Sequence, residues 1–192
     1  ILSTIFLRAL GFDSREKIID IFYKTKTVKL VESKEEKEKL VGSIFSKPIF
    51  IEEEGEEKKL YRAGDKIHPH DVEELLHRSI KKIDIIDMEH PESLHSNIIL
   101  SCFEREEMKI LKNEPGRDEL THEEALSNVY SVLMPGEPIT IENAEKDLQS
   151  IFFSERRYNL GKVGRYKLNK KFDYEDPVKA QVIIADSSVG FD

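Results

Sequence analysis

Thr121 and Glu124 stand three residues apart directly before an apolar run, and that spacing fixes a helix start. The threonine hydroxyl accepts from one of the first free amides, and the glutamate carboxylate returns to the threonine's own amide. Ala125, Leu126, Val129, Tyr130 and Leu133 then recur at helical spacing and predict one buried face. The helix should end at the Met134-Pro135 step, because proline forces the residue before it out of the α region. Thr140 caps a second helix with Ala144, Leu148, Ile151 and Phe152 on its apolar stripe, and with Glu142 and Glu145 near its positive end. Two amphipathic helices in succession bury their stripes against each other, so the stretch predicts a helical hairpin. The Pro-Gly-Glu-Pro tip (Pro135 to Pro138) has few accessible φ angles, and ordering it on contact costs little entropy.

Immediately after the hairpin, seven basic and no acidic residues fall between Arg156 and Lys171, in a chain whose net charge is -8. A local reversal of charge suggests an anionic partner for one face. Arg156, Arg157, Lys162, Arg165, Lys167, Lys170 and Lys171 suit phosphates, bound in a sequence-independent and salt-sensitive way. Tyr158 and Tyr166 suit stacking on exposed bases. The alternative is a solvated face that balances the acidic helix Glu142 to Asp147, with Arg165 capping or pairing internally in a Gly-x-x-Gly-Arg turn.

The preceding chain is mixed. Ile1 to Leu10 fits strand or helix. Asp13 with Glu16 has capping-box spacing, and Ile18, Ile19 and Phe22 share a helical face, so a helix is predicted from about Ser14 to Tyr23. Glu32 to Lys39 reads as a solvated helix or loop. Ser43 to Glu52 and Lys58 to Arg62 predict a hairpin whose Glu52 to Glu57 tip is solvated, with Pro48 at an edge or bulge. Pro69 opens a helix with Val72, Leu75 and Leu76 on one face, Lys82 to Asp87 is a strand, and His90 to Asn97 is a loop. Ile98 to Phe103 is apolar and ambiguous, and Glu114-Pro115-Gly116 is a turn.

Other chemistry is sparse. His68-Pro69-His70-Asp71 with His77 has the composition of a metal cluster, but its spacing fits neither a His-Glu-x-x-His nor a Cys/His zinc site, and a helix cap is the expected role. Cys102 sits among apolar residues as a core thiol. A single cysteine excludes an internal disulfide and agrees with a cytoplasmic setting. No apolar run approaches the roughly 20 residues of a membrane span. The chain opens on Ile1, without methionine, as an excised piece would.

The string PGEP, an amphipathic helix, then FFSERRYNLGKVGRYKLNKK resembles the lobe domain of the bacterial DNA-directed RNA polymerase β subunit. The resemblance covers Thr121 to Lys171, and FLRALGF with the helix after it (Ile5 to Tyr23) is similar to the same subunit slightly upstream. Between them, from about Lys24 to Cys102, the family varies widely, and VGSIFSKPIFIEEEGEEKKLYRAGDKI looks like a β-rich insertion that other members carry there. The resemblance implies a non-catalytic wall of the cleft that holds downstream DNA. It makes Met134, Pro135, Gly136, Glu137, Pro138 and Ile139 the gate loop, a contact for NusG-type elongation factors. Arg157 matches an arginine implied to touch the non-template strand, and Met134 stands where some members have arginine. Implied partners are the β′, α and ω subunits, sigma factor and DNA, without a membrane. Nothing here matches the metal-binding aspartates: Mg²⁺ belongs elsewhere in the whole enzyme, and this piece is expected to hold no metal or cofactor and to be no enzyme alone.

The expected fold is α+β. Residues 1–25 and 103–172 form a helical lobe from both ends of the chain, residues 26–102 an inserted, small barrel-like β-rich submodule, and residues 173–192 an irregular tail. The alternative function is a barrel-like module that docks a transcription partner; removing Lys26 to Leu94 would then leave a foldable lobe that lacks one protein contact.

Overall fold

The computed structural model describes residues 1–53, 55–111, 117, 119–154 and 161–172. In chain order they form α1 (Ser3–Ala9), α2 (Arg15–Phe22), β1 (Lys24–Lys29), α3 (Lys34–Leu40), β2 (Ile49–Glu53), β3 (Glu56–Tyr61), α4 (Pro69–His77), β4 (Lys82–Asp87), α5 (Ile98–Leu111), α6 (His122–Leu133), α7 (Ile141–Phe152) and α8 (Gly161–Phe172). The architecture is α+β, as the sequence predicts. The Glu114-Pro115-Gly116 turn and the 173–192 tail lie outside the described residues.

The ambiguous first segment is helical because Ile5 and Ala9, four residues apart, both enter a core with Ala125, Leu126, Val129 and Tyr130 of α6 and Ala144 and Leu148 of α7. The helical hairpin α6–α7 thus receives α1 as its third member. Phe6 closes one end of this core edge-on to Phe152, ring centres 5.2 Å apart. Leu133 departs from the predicted stripe. It lies in the last turn of α6, beyond the reach of α1, and is 36% exposed.

At α2 the cap is Ser14, not Asp13: the Ser14 hydroxyl accepts from the Lys17 amide at 3.2 Å, whereas Asp13 pairs with the Lys17 ammonium at 2.8 Å. The ambiguous segment Ile98 to Phe103 opens the long helix α5. The solvated run 32–39 resolves as α3, with only Leu40 buried. Sequence reasoning missed β1, a lysine-rich strand paired antiparallel to β4 from Lys24–Asp87 to Lys29–Lys82. Its mostly exposed side chains carry no buried alternation to read.

The barrel expectation needs correction. Among the described residues the named strands form two separate two-stranded ladders, β1–β4 and β2–β3, and no closed barrel. Residues 43–46 lie beside β4, through Ser46 N to Asp84 O (3.0 Å) and Ile86 N to Ile44 O (2.9 Å). They also meet 64–67, through Phe45 N to Asp65 O and Ile67 N to Ser43 O. Pro48, which has no amide hydrogen, then takes the chain out of this ladder into β2, whose register shifts at Ile49/Phe50. The sheet therefore stays open, with β1 at one edge, where its lysines discourage further pairing.

Two further clusters fill this half. Val72 and Leu75 of α4 share one with Leu40, Phe45, Ile67, Ile83 and Ile85. Ile18, Ile19 and Tyr23 of α2 share the other with Ile99, Leu100 and Phe103 of α5, but also with Ala63 and Ile86. That second cluster is where the β-rich stretch seats on the helices. Gly64 is its closest approach: φ is +88°, and a Cβ there would lie 3.2 Å from the Phe103 ring.

Candidate nucleic-acid and partner interface

The predicted gate-loop residues form the exposed tip of the α6–α7 hairpin. Met134 N–H donates to Tyr130 O at 2.8 Å to close α6, and Glu137 N–H donates back to Met134 O at 3.3 Å. Gly136, at φ +90°, supplies the left-handed step that reverses the chain. Met134 folds back against the three-helix core, whereas Pro135, Gly136, Glu137, Pro138 and Ile139 are exposed. Beneath them Tyr130, buried in that core, donates its hydroxyl to Glu137 Oε2 at 3.2 Å. Burial raises the phenol pKa, and the Glu137 carboxylate raises it further.

Of the predicted basic residues, Arg156 and Arg157 lie outside the described residues, as does Tyr158. Lys162, Arg165, Lys167, Lys170 and Lys171 fall on α8, so the Gly-x-x-Gly-Arg stretch is helix rather than turn. Val163 and Tyr166 are 70% and 67% exposed, and Lys167 and Lys170 are exposed too. Their i, i+3, i+4, i+7 spacing places these four on one helical face. The helix contains no acidic residue, so the chemistry of this exposed face is cationic with one aromatic ring, Tyr166.

The histidine group has a structural role here. His68 N–H donates to the Asp71 carboxylate at 2.7 Å at the start of α4, and the His68 and His70 rings stack with centres 5.7 Å apart. Among the described residues, no group of three His, Cys, Asp or Glu side chains could hold a metal ion. Cys102 is buried, and it lines a cleft of about 370 Å³ with Ser96, Asn97, Ile98, Ser101 and Arg105.

An ion network joins α1, α2 and α5 to residues 62–65 and to Glu119 just before α6. Arg8, with no exposed surface, holds Glu106 at 2.7 Å and Glu119 at 3.5 Å, and its guanidinium also meets the Asp13 carbonyl. Arg15 lies 3.6 Å from both Asp65 and Glu107 and sits over the Phe103 ring. Arg62 completes the set, at 3.0 Å from Asp65 and 2.6 Å from Glu107. Burial works against the Arg62 charge, but the two carboxylates outweigh it and raise the pKa. Apart from Arg62 and Asp65, the three arginines and four carboxylates come from distant parts of the sequence, so a charged residue inside an apolar helical run, such as Arg8 in ILSTIFLRAL, is the main hint at them.

A family model described as RNA polymerase Rpb2, domain 2, matches residues 92–185, a range that contains the tip and α8. Proteins named DNA-directed RNA polymerase subunit beta match nearly the whole chain. That of Treponema denticola is 55% identical over 185 residues, covering 96% of this chain and 16% of its own length. Those of Treponema pallidum and Borreliella burgdorferi are each 47% identical, over 190 and 182 residues, covering 98% and 92% of this chain and 16% and 15% of their own.

The chain belongs to the RNA polymerase β-subunit family.

It spans about 16% of the length of the first of these relatives. In this β-subunit segment the family-model match begins just before α5, whereas the likeness to the Treponema and Borreliella subunits extends through β1–β4 as well. The β-rich stretch is therefore shared with those relatives.

Proposed function

We propose that this chain is the non-catalytic lobe of the β subunit in DNA-templated transcription. It forms a wall of the downstream DNA cleft, and residues 134–139 serve as its gate loop. The observation that carries the reading is the acid-free face of α8, where Tyr166, Lys167 and Lys170 stand exposed in a chain of net charge -8. Phosphate neutralisation by such a face is independent of sequence, as a cleft wall that must pass any template requires. Arg157 and Arg156 extend the same basic segment, with Arg157 on the non-template strand and Arg165 and Lys162 alongside. In this reading polymerisation and its Mg²⁺ belong to other parts of a cytoplasmic enzyme containing β′, α and ω, with sigma factor and a NusG-type factor as further partners.

The division into a helical lobe (1–25 and 103–172) and an insertion (26–102) is part of this reading, with the Ala63–Ile86–Phe103 cluster as their shared face. The insertion as a docking module for a transcription partner is the second reading. It is favoured by the β2–β3 hairpin, whose outer half from Glu52 onward pairs with its own partner strand and is largely exposed.

Reconstituted polymerase carrying Arg157→Ala, compared with the parent at two salt concentrations, tests the main reading. A shorter open-complex lifetime with a weaker salt dependence is expected. An unchanged lifetime, repeated with Lys167→Ala/Lys170→Ala, would reduce the basic segment to a solvated face.

A further inference from the structure

The tip has an internal problem of orientation. Pro135 and Pro138 restrict φ but carry no amide hydrogen, so neither can donate a backbone bond to the helices below it. The Met134 amide and the Tyr130 carbonyl end α6, and the Glu137–Met134 bond closes only the turn itself. Among the described residues, Met134 packs on the core at the foot of the turn, and what reaches from that core to Glu137 is the Tyr130 hydroxyl. Its ring is fixed among Ile5, Ala9, Leu126 and Leu148, so little rotamer freedom remains to be lost when it bonds Glu137. A carboxylate acceptor also makes the bond stronger than one between neutral groups.

We propose that Tyr130 is a positioning residue that sets the orientation of the 134–139 tip through its hydroxyl bond to Glu137, so that one Glu137 carboxylate oxygen braces the turn against α6 as a strut while Pro135, Pro138 and Ile139 form the contact edge. This rests on the reading of the tip as a contact element of the cleft. It assigns one carboxylate oxygen of Glu137, the one ionisable residue of the tip, to a bond within the protein, although the residue is otherwise exposed.

Hydrogen exchange on the reconstituted polymerase, followed by mass spectrometry over peptides containing 134–139, separates the two ideas. Tyr130→Phe keeps the ring and removes the hydroxyl, and is expected to speed exchange at Gly136 and Glu137 about fivefold, the scale of one lost hydrogen bond. Glu137→Ala should do the same, the double variant should add nothing, and Glu137→Gln, which retains an acceptor oxygen, should restore slow exchange. Core amides of α6 and α7 should stay protected throughout. Unchanged tip exchange in both Tyr130→Phe and Glu137→Ala, or additive effects in the double variant, would overturn the proposal. Since Glu137 is exposed, its variants remain informative even if Tyr130→Phe disturbs folding. Open-complex lifetimes of the same enzymes answer the other question: a loosened tip with unaltered lifetimes would leave the strut standing and remove the gate reading.

Discussion

Gly64 is the position with the least room for change. A left-handed φ and a ring 3.2 Å from any added Cβ act together, and Phe103 cannot move without opening the cluster it shares with Ile19. Gly64→Ala is expected to lower stability by about 1–3 kcal/mol, measured by urea denaturation. Glu106→Ala should cost toward the lower end of about 3–5 kcal/mol, since it leaves the buried Arg8 charge with only Glu119 and the Asp13 carbonyl, and a paired Arg8→Met/Glu106→Leu variant should recover much of that. Glu124 gives a pH signature. Its pKa is lowered, chiefly by Arg117 and then by the Thr121 amide, with burial opposing. A lowered carboxylate pKa stabilises the fold above the ordinary glutamate value, about 4.3, and the contribution is lost as pH falls through the folded-state value. Glu124→Gln should therefore differ from the parent at pH 7 and converge with it in acid, as read from denaturation midpoints across pH.

Among the elements, legibility followed how local the cause was. The cap of α6 is complete within Thr121 and Glu124, and both residues do what their spacing predicts: the Glu124 amide donates to Thr121 Oγ1, and the Thr121 amide to Glu124 Oε2. Thr121→Ala should accordingly cost about 1 kcal/mol, detectable as a lower thermal midpoint. At Asp13–Ser14 two capping residues were adjacent, and only the conformation of the chain entering α2 decides for Ser14, while Asp13 takes Lys17. β1 was unreadable because both its faces are largely wet: its pairing comes from β4, whose Ile83, Ile85 and Ile86 do carry a buried pattern. The 43–46 segment looked continuous with β2, but Pro48 divides them, and the barrel-like submodule expected from this β-rich stretch does not close. For the candidate site, the tip was legible as a capped hairpin with two prolines. The Tyr130–Glu137 bond was not, since Tyr130 read only as one more apolar position on the stripe.

At the scale of the molecule, the β-rich stretch is not a detachable ornament. Ala63 and Ile86 cover Ile19, Tyr23 and Phe103, and the Leu94 amide donates to the Phe22 carbonyl at 2.6 Å. Replacing residues 26–94 with a short linker is expected to leave the α1–α6–α7 core formed but to expose the α2–α5 face, giving a chain that self-associates in light scattering. Polar substitutions at Ile19 and Phe103 in that shortened chain should restore a monomer.

Arg15 and Glu107 on the helices share their charges with Arg62 and Asp65 of the β-rich stretch, four groups linked in one ring of ion pairs. That sharing should leave a trace in ancestry. A lineage that shed this stretch would leave Glu107 without one of its two arginines and Arg15 without its Asp65 partner, so those two positions are expected to change together wherever the stretch is absent, and to stay put wherever Arg62 and Asp65 persist.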